Sequence, residues 1–175
     1  MAILETARLT LRPVRPGDTP AFVAFYSDPE VMAIRKYGVL DAGAARLQVQ
    51  KMLDHWTAHG FGMWVVEERR SREFAGECGL RWREEEPDVE LSYGLIPQFR
   101  GRGLATEAAQ AALNYGADAL GLECIVALSR GDNAISHRVL EKLGMVLEWR
   151  KKRGVHGLVR YRYLPGSPSS TSTSE

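Results

Sequence analysis

Apolar residues follow two different periods along the 175-residue chain, and the switches between them mark its elements. Thr10 to Pro13 closes a short first strand. Asp18-Thr19-Pro20 has the make-up of a helix start, with a side-chain oxygen for the free amides and a proline near the first turn. Phe22, Val23, Phe25 and Tyr26 give that helix an apolar surface, most of it expected in the core. A short helical piece follows from Pro29 to Ile34. Asp41 caps a longer helix reaching about His59, with Leu47, Met52, Leu53 and Trp56 at helical spacing. Gly60-Phe-Gly62 breaks it. Strands are predicted at Met63 to Glu68 and Phe74 to Arg83, around a charged turn at Arg69 to Glu73.

After an acidic loop, Glu84 to Asp88, the apolar residues Val89, Leu91, Tyr93 and Leu95 alternate as in a half-buried strand. Pro97, which has no N–H, ends its pairing. Leu104 to Ala119 is mostly good helix formers and rich in alanine, which lets it lie close to a sheet. Ile125 to Leu128 is a continuous apolar strand, expected to be covered on both faces. Asp132 or Asn133 starts a last helix with Ile135, Val139, Leu140 and Leu143, ended by Gly144. Met145 to Lys152 and Val155 to Leu164 form a final antiparallel hairpin with the Arg150 to Arg153 run at its tip. The order predicts an α/β (α+β) fold: a twisted, mixed, mostly antiparallel sheet of six or seven strands with helices on both faces.

Composition narrows the class. With 45% apolar and 26% charged residues, the chain reads as one globular domain over 1–164. Residues 165–175, rich in serine and threonine, are expected to be disordered. A net charge of +1 argues against a general affinity for nucleic acid. Neither a signal peptide nor a membrane span is legible, which points to the cytoplasm. Cys78 and Cys124 lie far apart and read as buried thiols in a reducing compartment. His55 and His59 share a helix face, but without a neighbouring glutamate they read as solvated or packed rather than metal-bound.

The chemistry concentrates after the central strand, at Gln98-Phe-Arg100-Gly101-Arg102-Gly103. Strand, glycine turn and helix together form an anion cradle: the first amides of a helix have no intrahelical partner and sit at the positive end of its dipole. Glycines let a phosphate approach closely, and Arg100 and Arg102 are expected to add full charges there. The spacing does not satisfy the phosphate loop Gly-x-x-x-x-Gly-Lys-Ser/Thr. A dinucleotide fingerprint fits poorly, because Thr106 stands at the third glycine position and Glu123 falls at the start of the next strand rather than its end.

Gln98-x-x-Gly101-x-Gly103 resembles the acyl-CoA pyrophosphate signature of the GCN5-related N-acetyltransferase (GNAT) superfamily. The longer string from Glu90-Leu-Ser-Tyr93 through Gly103-Leu104-Ala105-Thr106-Glu107, with Asn133-Ala-Ile-Ser136 and Glu141-Lys-Leu-Gly144 downstream, is similar to its ribosomal-protein-acetylating (RimJ/RimL-like) branch. The resemblance spans nearly the whole chain. It implies acetyl-CoA as co-substrate and a primary amine as acceptor, either a protein N-terminus or a small molecule. It also implies that the backbone of Leu95 and Ile96 pairs with the pantetheine arm, and that amides from Arg100 to Thr106 hold the pyrophosphate. Asn133 and Ser136 would contact the cofactor arm. The segment from Phe22 to Ile34 would cover the acceptor side.

Acetyl transfer needs a neutral amine, a polarised carbonyl and a stabilised thiolate. The resemblance makes Glu90 the first candidate base, against the alternative that it pairs with an arginine; Glu148 is a second candidate. Many relatives carry a tyrosine seven residues after the asparagine to protonate the thiolate. Here Leu140 stands there, leaving Ser136 or a water for that role. A non-catalytic acyl-CoA-binding sensor or partner-binding module is the alternative function, and a monomer or a homodimer is open.

Overall fold

The computed structural model describes residues 1–35, 38–83 and 86–166. Among these residues, eight strands form one sheet: β1 (Leu4–Glu5), β2 (Leu9–Pro13), β3 (Met63–Glu68), β4 (Phe74–Trp82), β5 (Val89–Leu95), β6 (Ile125–Arg130), β7 (Val146–Lys151) and β8 (Leu158–Tyr163). They lie in the order β1-β2-β3-β4-β5-β6-β8-β7. Every neighbouring pair is antiparallel except β5 and β6. The predicted mixed, mostly antiparallel sheet is therefore present. The strand beyond the expected seven is the two-residue β1, too short to leave a periodic trace in sequence.

The helices are α1 (Thr19–Ser27), α2 (Pro29–Met32), α3 (Ala42–His59), α4 (Leu104–Asp118) and α5 (Ala134–Lys142). Cross-strand register sets Trp64, Cys78 and Tyr93 on one face of the sheet and Val65, Glu77 and Gly94 on the other. On the first face lies α4, with Tyr115 edge-on to Trp64 at 5.3 Å between centroids and Gly116 against Leu80 and Ile125. α1 takes the opposite face, where the Tyr26 hydroxyl reaches Glu77; Phe22, Phe25 and Tyr26 are all buried there. The alanines of α4 explain its closeness: Ala108, Ala109 and Ala112 are fully buried.

Two helix starts follow the expected capping. Asp41 Oδ1 accepts from the Ala44 amide at 2.8 Å and Asn133 Oδ1 from the Ser136 amide at 3.1 Å. Asp18 does not cap α1. Its carboxylate instead takes the Arg12 guanidinium at 2.7 and 2.9 Å and the Arg15 amide at 2.7 Å, because an ionised partner makes a stronger bond than a helix amide. Cys78 is buried as expected, whereas Cys124 is only half-buried; both are free thiols.

Of the acidic loop, 84–85 fall outside the described residues, while Glu86 and Asp88 pair with Arg160. The tail at 167–175 also falls outside them. No described helix is long and apolar enough to cross a membrane.

Candidate active site

The sheet opens at its middle. β5 is in register with β4 from Val89 to Leu95, and β6 with β8 from Ile125 to Arg130. Between β5 and β6, however, the pairing is confined to Glu90 opposite Val126. Beyond that point the two parallel strands part, and the inward N–H and C=O groups of β5 lose their neighbour. The Ile96 amide donates to the Ala75 carbonyl at 2.9 Å, so alternation along the strand turns the polar groups of Leu95 away from β4, into the gap. This leaves the Leu95 amide directed toward an extended chain lying in the opening, while its carbonyl accepts from Arg100 Nε.

The gap leads to the glycine turn. A 3₁₀ turn, Pro97–Phe99, follows β5, with Gln98 exposed on it. Gly101 and Gly103 then adopt φ of 71° and 75°, a left-handed geometry that costs side-chain-bearing residues roughly 1–2 kcal/mol. Gly103 is the N-cap of α4 and no side chain caps that helix. The leading amides of Leu104, Ala105 and Thr106 thus keep their donor capacity at the positive end of a 15-residue helix. The turn is braced from outside by Arg8, which donates to the Arg102 carbonyl at 2.8 Å and is paired with Glu107.

The two turn arginines diverge. Arg102 is exposed, its guanidinium 5.9 Å from the Phe99 ring centroid. Arg100 does not add its charge beside the turn as the sequence suggested. Its Nε donates to the Leu95 carbonyl at 2.9 Å, and its terminal nitrogens approach the Glu30 carbonyl of α2 at 3.4 and 3.5 Å. Its amide is bonded to Pro97. Leu95 presents two carbonyl lone pairs within reach, and a partly buried acceptor captures a guanidinium more effectively than solvent does.

On the α1 face, Glu90 is buried beside the point where the strands part, with Arg81 Nη2 3.3 Å from its carboxylate. Both the base and the paired-arginine readings of Glu90 are compatible with this geometry. Farther along the same face lies a cluster that the sequence reading missed. Glu77, 2% exposed, takes the Tyr26 hydroxyl at 2.5 Å on one oxygen and both terminal nitrogens of Arg35 at 2.6 and 2.5 Å on the other. Arg35 lies flat over Gly94, where a Cβ would come within 3.0 Å of its Nη2. Burial, with the adjacent Glu77 charge, pushes the Tyr26 phenol well above its usual range. The available signal was a lone carboxylate in mid-strand between two glycines, Gly76 and Gly79.

On the α4 face, Ser136 in the first turn of α5 places its Oγ 2.9 Å from the Tyr93 hydroxyl, which also reaches the Ser136 carbonyl at 3.3 Å. The phenol thus bridges from β5 to the helix that follows β6, across the opening. Burial raises the Tyr93 pKa, so the hydroxyl stays protonated. Leu140, one turn beyond Ser136, is packed in the core. Glu148, on β7, is held by Arg160 of β8 at 2.6 Å, and the same guanidinium takes Glu86 and Asp88 of the acidic loop, so its carboxylate is committed to that network. No cluster of potential metal ligands occurs among the described residues. Both ring nitrogens of His55 are committed to backbone groups of Phe61 and Trp82.

A sheet split between two parallel strands, feeding an uncapped helix N-terminus through a glycine turn, defines an acyl-CoA-dependent acyltransferase architecture. Residues 8–146 match the acetyltransferase (GNAT) domain, and the chain belongs to that family; it is an N-acetyltransferase. It is 33% identical to the uncharacterized N-acetyltransferase YoaA of Bacillus subtilis, over 97% of this chain and 93% of that protein. It is also similar to the crystal structure of an acetyltransferase from Agrobacterium tumefaciens, at 29% identity and a TM-score of 0.83, over 93% and 94% of the two chains. RimL, a ribosomal L7/L12 N-acetyltransferase solved with coenzyme A, shares the fold at 20% identity and a TM-score of 0.78, over 93% and 98%.

Proposed function

We propose that this chain moves the acetyl group of acetyl-CoA to a primary amine, a protein N-terminus or a small-molecule amine, by direct attack in a ternary complex. The observation that carries this reading is the parting of β5 and β6 beyond Glu90, with the Leu95 amide turned away from β4 toward the gap and the gap ending at the N-terminus of α4, which no side chain caps. These features fit the cofactor's two demands, backbone partners for a pantetheine amide and unpaired N–H groups for a pyrophosphate. Bound there, the thioester supplies the activated acyl group.

Each remaining step belongs to the chain. Leu95 positions the arm through its amide, whereas Ile96, which the resemblance paired with the arm, has its amide bonded to Ala75 and its carbonyl to the Phe99 amide; the turn from Gln98 to Thr106, including Gly101, Arg102 and Gly103, receives the diphosphate. Asn133 orders the first turn of α5 and so places Ser136 on the sulfur side. Glu90, buried beside the vertex of the gap, removes the proton of an incoming ammonium directly or through a water, and the amine attacks as a neutral nucleophile.

A thiol-release assay with purified protein, acetyl-CoA and a panel of peptide N-termini, polyamines and aminoglycosides tests the proposal, with calorimetry for cofactor affinity. Wild-type protein is expected to release CoA with at least one acceptor class. Glu90→Gln should keep acetyl-CoA affinity and lose about a hundredfold or more in kcat. Tight cofactor binding without release for any acceptor would support a sensor instead, and no binding would overturn the assignment of the turn.

A further inference from the structure

When the C–S bond breaks, a thiolate is left inside the gap, and the base on the α1 face cannot serve it. Glu90 and Tyr93 are three residues apart on β5, so their side chains project from opposite faces of the sheet. The α4 face must therefore supply its own proton. The groups that close the gap on that side are the Tyr93 phenol and the Ser136 hydroxyl, 2.9 Å apart and both at least half-buried. The next positions along α5 that share the Ser136 face are Val139 and Leu140, neither of which has a proton to give.

We propose that Tyr93 is the proton source for the departing CoA thiolate and that Ser136 relays the proton between them; this rests on the acetyl-transfer reading above. The amine nitrogen bonds to the carbonyl carbon and its surplus proton leaves through Glu90 to solvent. The C–S bond breaks with its electron pair on sulfur. Ser136 Oγ–H gives its proton to the sulfur and takes the proton of Tyr93, and the phenolate is reprotonated from solvent, so the proton count closes.

The division of labour follows from acidity. A serine hydroxyl alone is a poor acid, and a phenol is intrinsically the stronger of the two, although burial moves Tyr93 away from a thiol's range, so the transfer depends on the relay geometry more than on matched acidity. Two ionisable side chains bear on the Tyr93 hydroxyl: Cys78, its cross-strand neighbour, and Tyr161 on β8. Burial holds both in their neutral forms. With burial raising Tyr93 itself, the donor stays loaded throughout the neutral range. The Arg35 guanidinium, on the other face of the strand, reaches the Tyr93 carbonyl at 3.5 Å, not its hydroxyl.

Tyr93→Phe keeps the ring and its packing and removes only the hydroxyl. The variant is expected to bind acetyl-CoA as wild type does and to melt at a similar temperature, with kcat reduced about a hundredfold. Its kcat should fall as pH rises between about 7 and 9, where wild type stays level, because the proton must now come from solvent. Ser136→Ala should cost a similar factor, and the double variant little more than either alone, as for residues acting as one unit.

A second measurement needs no acceptor. The ultraviolet absorbance of the bound CoA thiolate is titrated in both proteins, and the thiol should ionise at lower pH in wild type than in Tyr93→Phe, since hydroxyl donors favour the charged sulfur. A Tyr93→Phe kcat within about twofold of wild type, with an unchanged pH profile, overturns the relay; so does a bound thiol that titrates identically in both. Wild-type failure to acetylate any amine would refute the transfer reading instead, with the thiolate titration still deciding what Tyr93 does to bound sulfur.

Discussion

Removing Arg35 strands a buried negative charge. The Glu77 side chain is 3% exposed, and its Oε1 is held by both terminal nitrogens of Arg35 at 2.5 and 2.6 Å. After Arg35→Met, Tyr26 still donates to Oε2, but the carboxylate loses the cation that the described residues pair with it. Breaking one side of a buried ion pair costs about 3–5 kcal/mol, mostly the penalty of leaving the other charge uncompensated. For a chain of this size each kcal/mol lowers Tm by about 2–4 °C, so Arg35→Met should melt roughly 10 °C below wild type.

Methionine keeps much of the apolar contact of Arg35 with Phe25 and Tyr26, whose ring centroids lie 5.3 and 5.8 Å from its guanidinium carbon. The loss should therefore report charge rather than packing. Adding Glu77→Gln removes the stranded charge and is expected to restore at least about 2 kcal/mol, a coupling readable from urea denaturation of all four proteins in the cycle. An Arg35→Met cost below about 1 kcal/mol, or a double variant as unstable as the sum of the singles, would refute the argument.

Two further effects follow from backbone geometry and from a histidine. Gly76→Ala at φ 146° would put a Cβ 2.1 Å from the Gly94 carbonyl oxygen; overpacking and backbone strain together should cost about 3 kcal/mol or more, and a midpoint near that of wild type would contradict the tight β4–β5 contact. His55 accepts the Trp82 amide on Nε2 and so carries its proton on Nδ1, toward the Phe61 carbonyl. Desolvation lowers its pKa, so its contribution is complete above the unfolded value of about 6.5 and is lost as pH falls from there toward the folded pKa. Urea midpoints should drop between about pH 8 and pH 5.5 in wild type, and drop less in His55→Gln; an equal drop in both would remove His55 as the cause.

Much of this molecule was legible in the chain because its determinants are local. Period and punctuation placed seven strands and five helices: Pro97 stops β5, Gly101 and Gly103 need a left-handed turn, and Asp41 and Asn133 cap helices through side chains three residues or fewer from their targets. The cofactor turn belongs to the same class. Strand, turn and helix start are contiguous, so their residue order alone carries the anion-binding chemistry.

What the tertiary structure decided are the long-range pairings, where a side chain's partner depends on register and not on spacing. Asp18 reads as a cap but is taken by Arg12 from the neighbouring strand, and Arg100 reads as a phosphate ligand but turns to Leu95 and α2. Tyr93 looked like one apolar position in an alternating strand. Its hydroxyl gains a side-chain partner because α5, more than 40 residues on, sets Ser136 against it. Arg35 and Glu77 had no local reason to meet, and Gly94, on a third segment, leaves the guanidinium room beside them. Each of these rests on side chains brought together from separate elements, and only the packed sheet brings those elements within a hydrogen bond of one another.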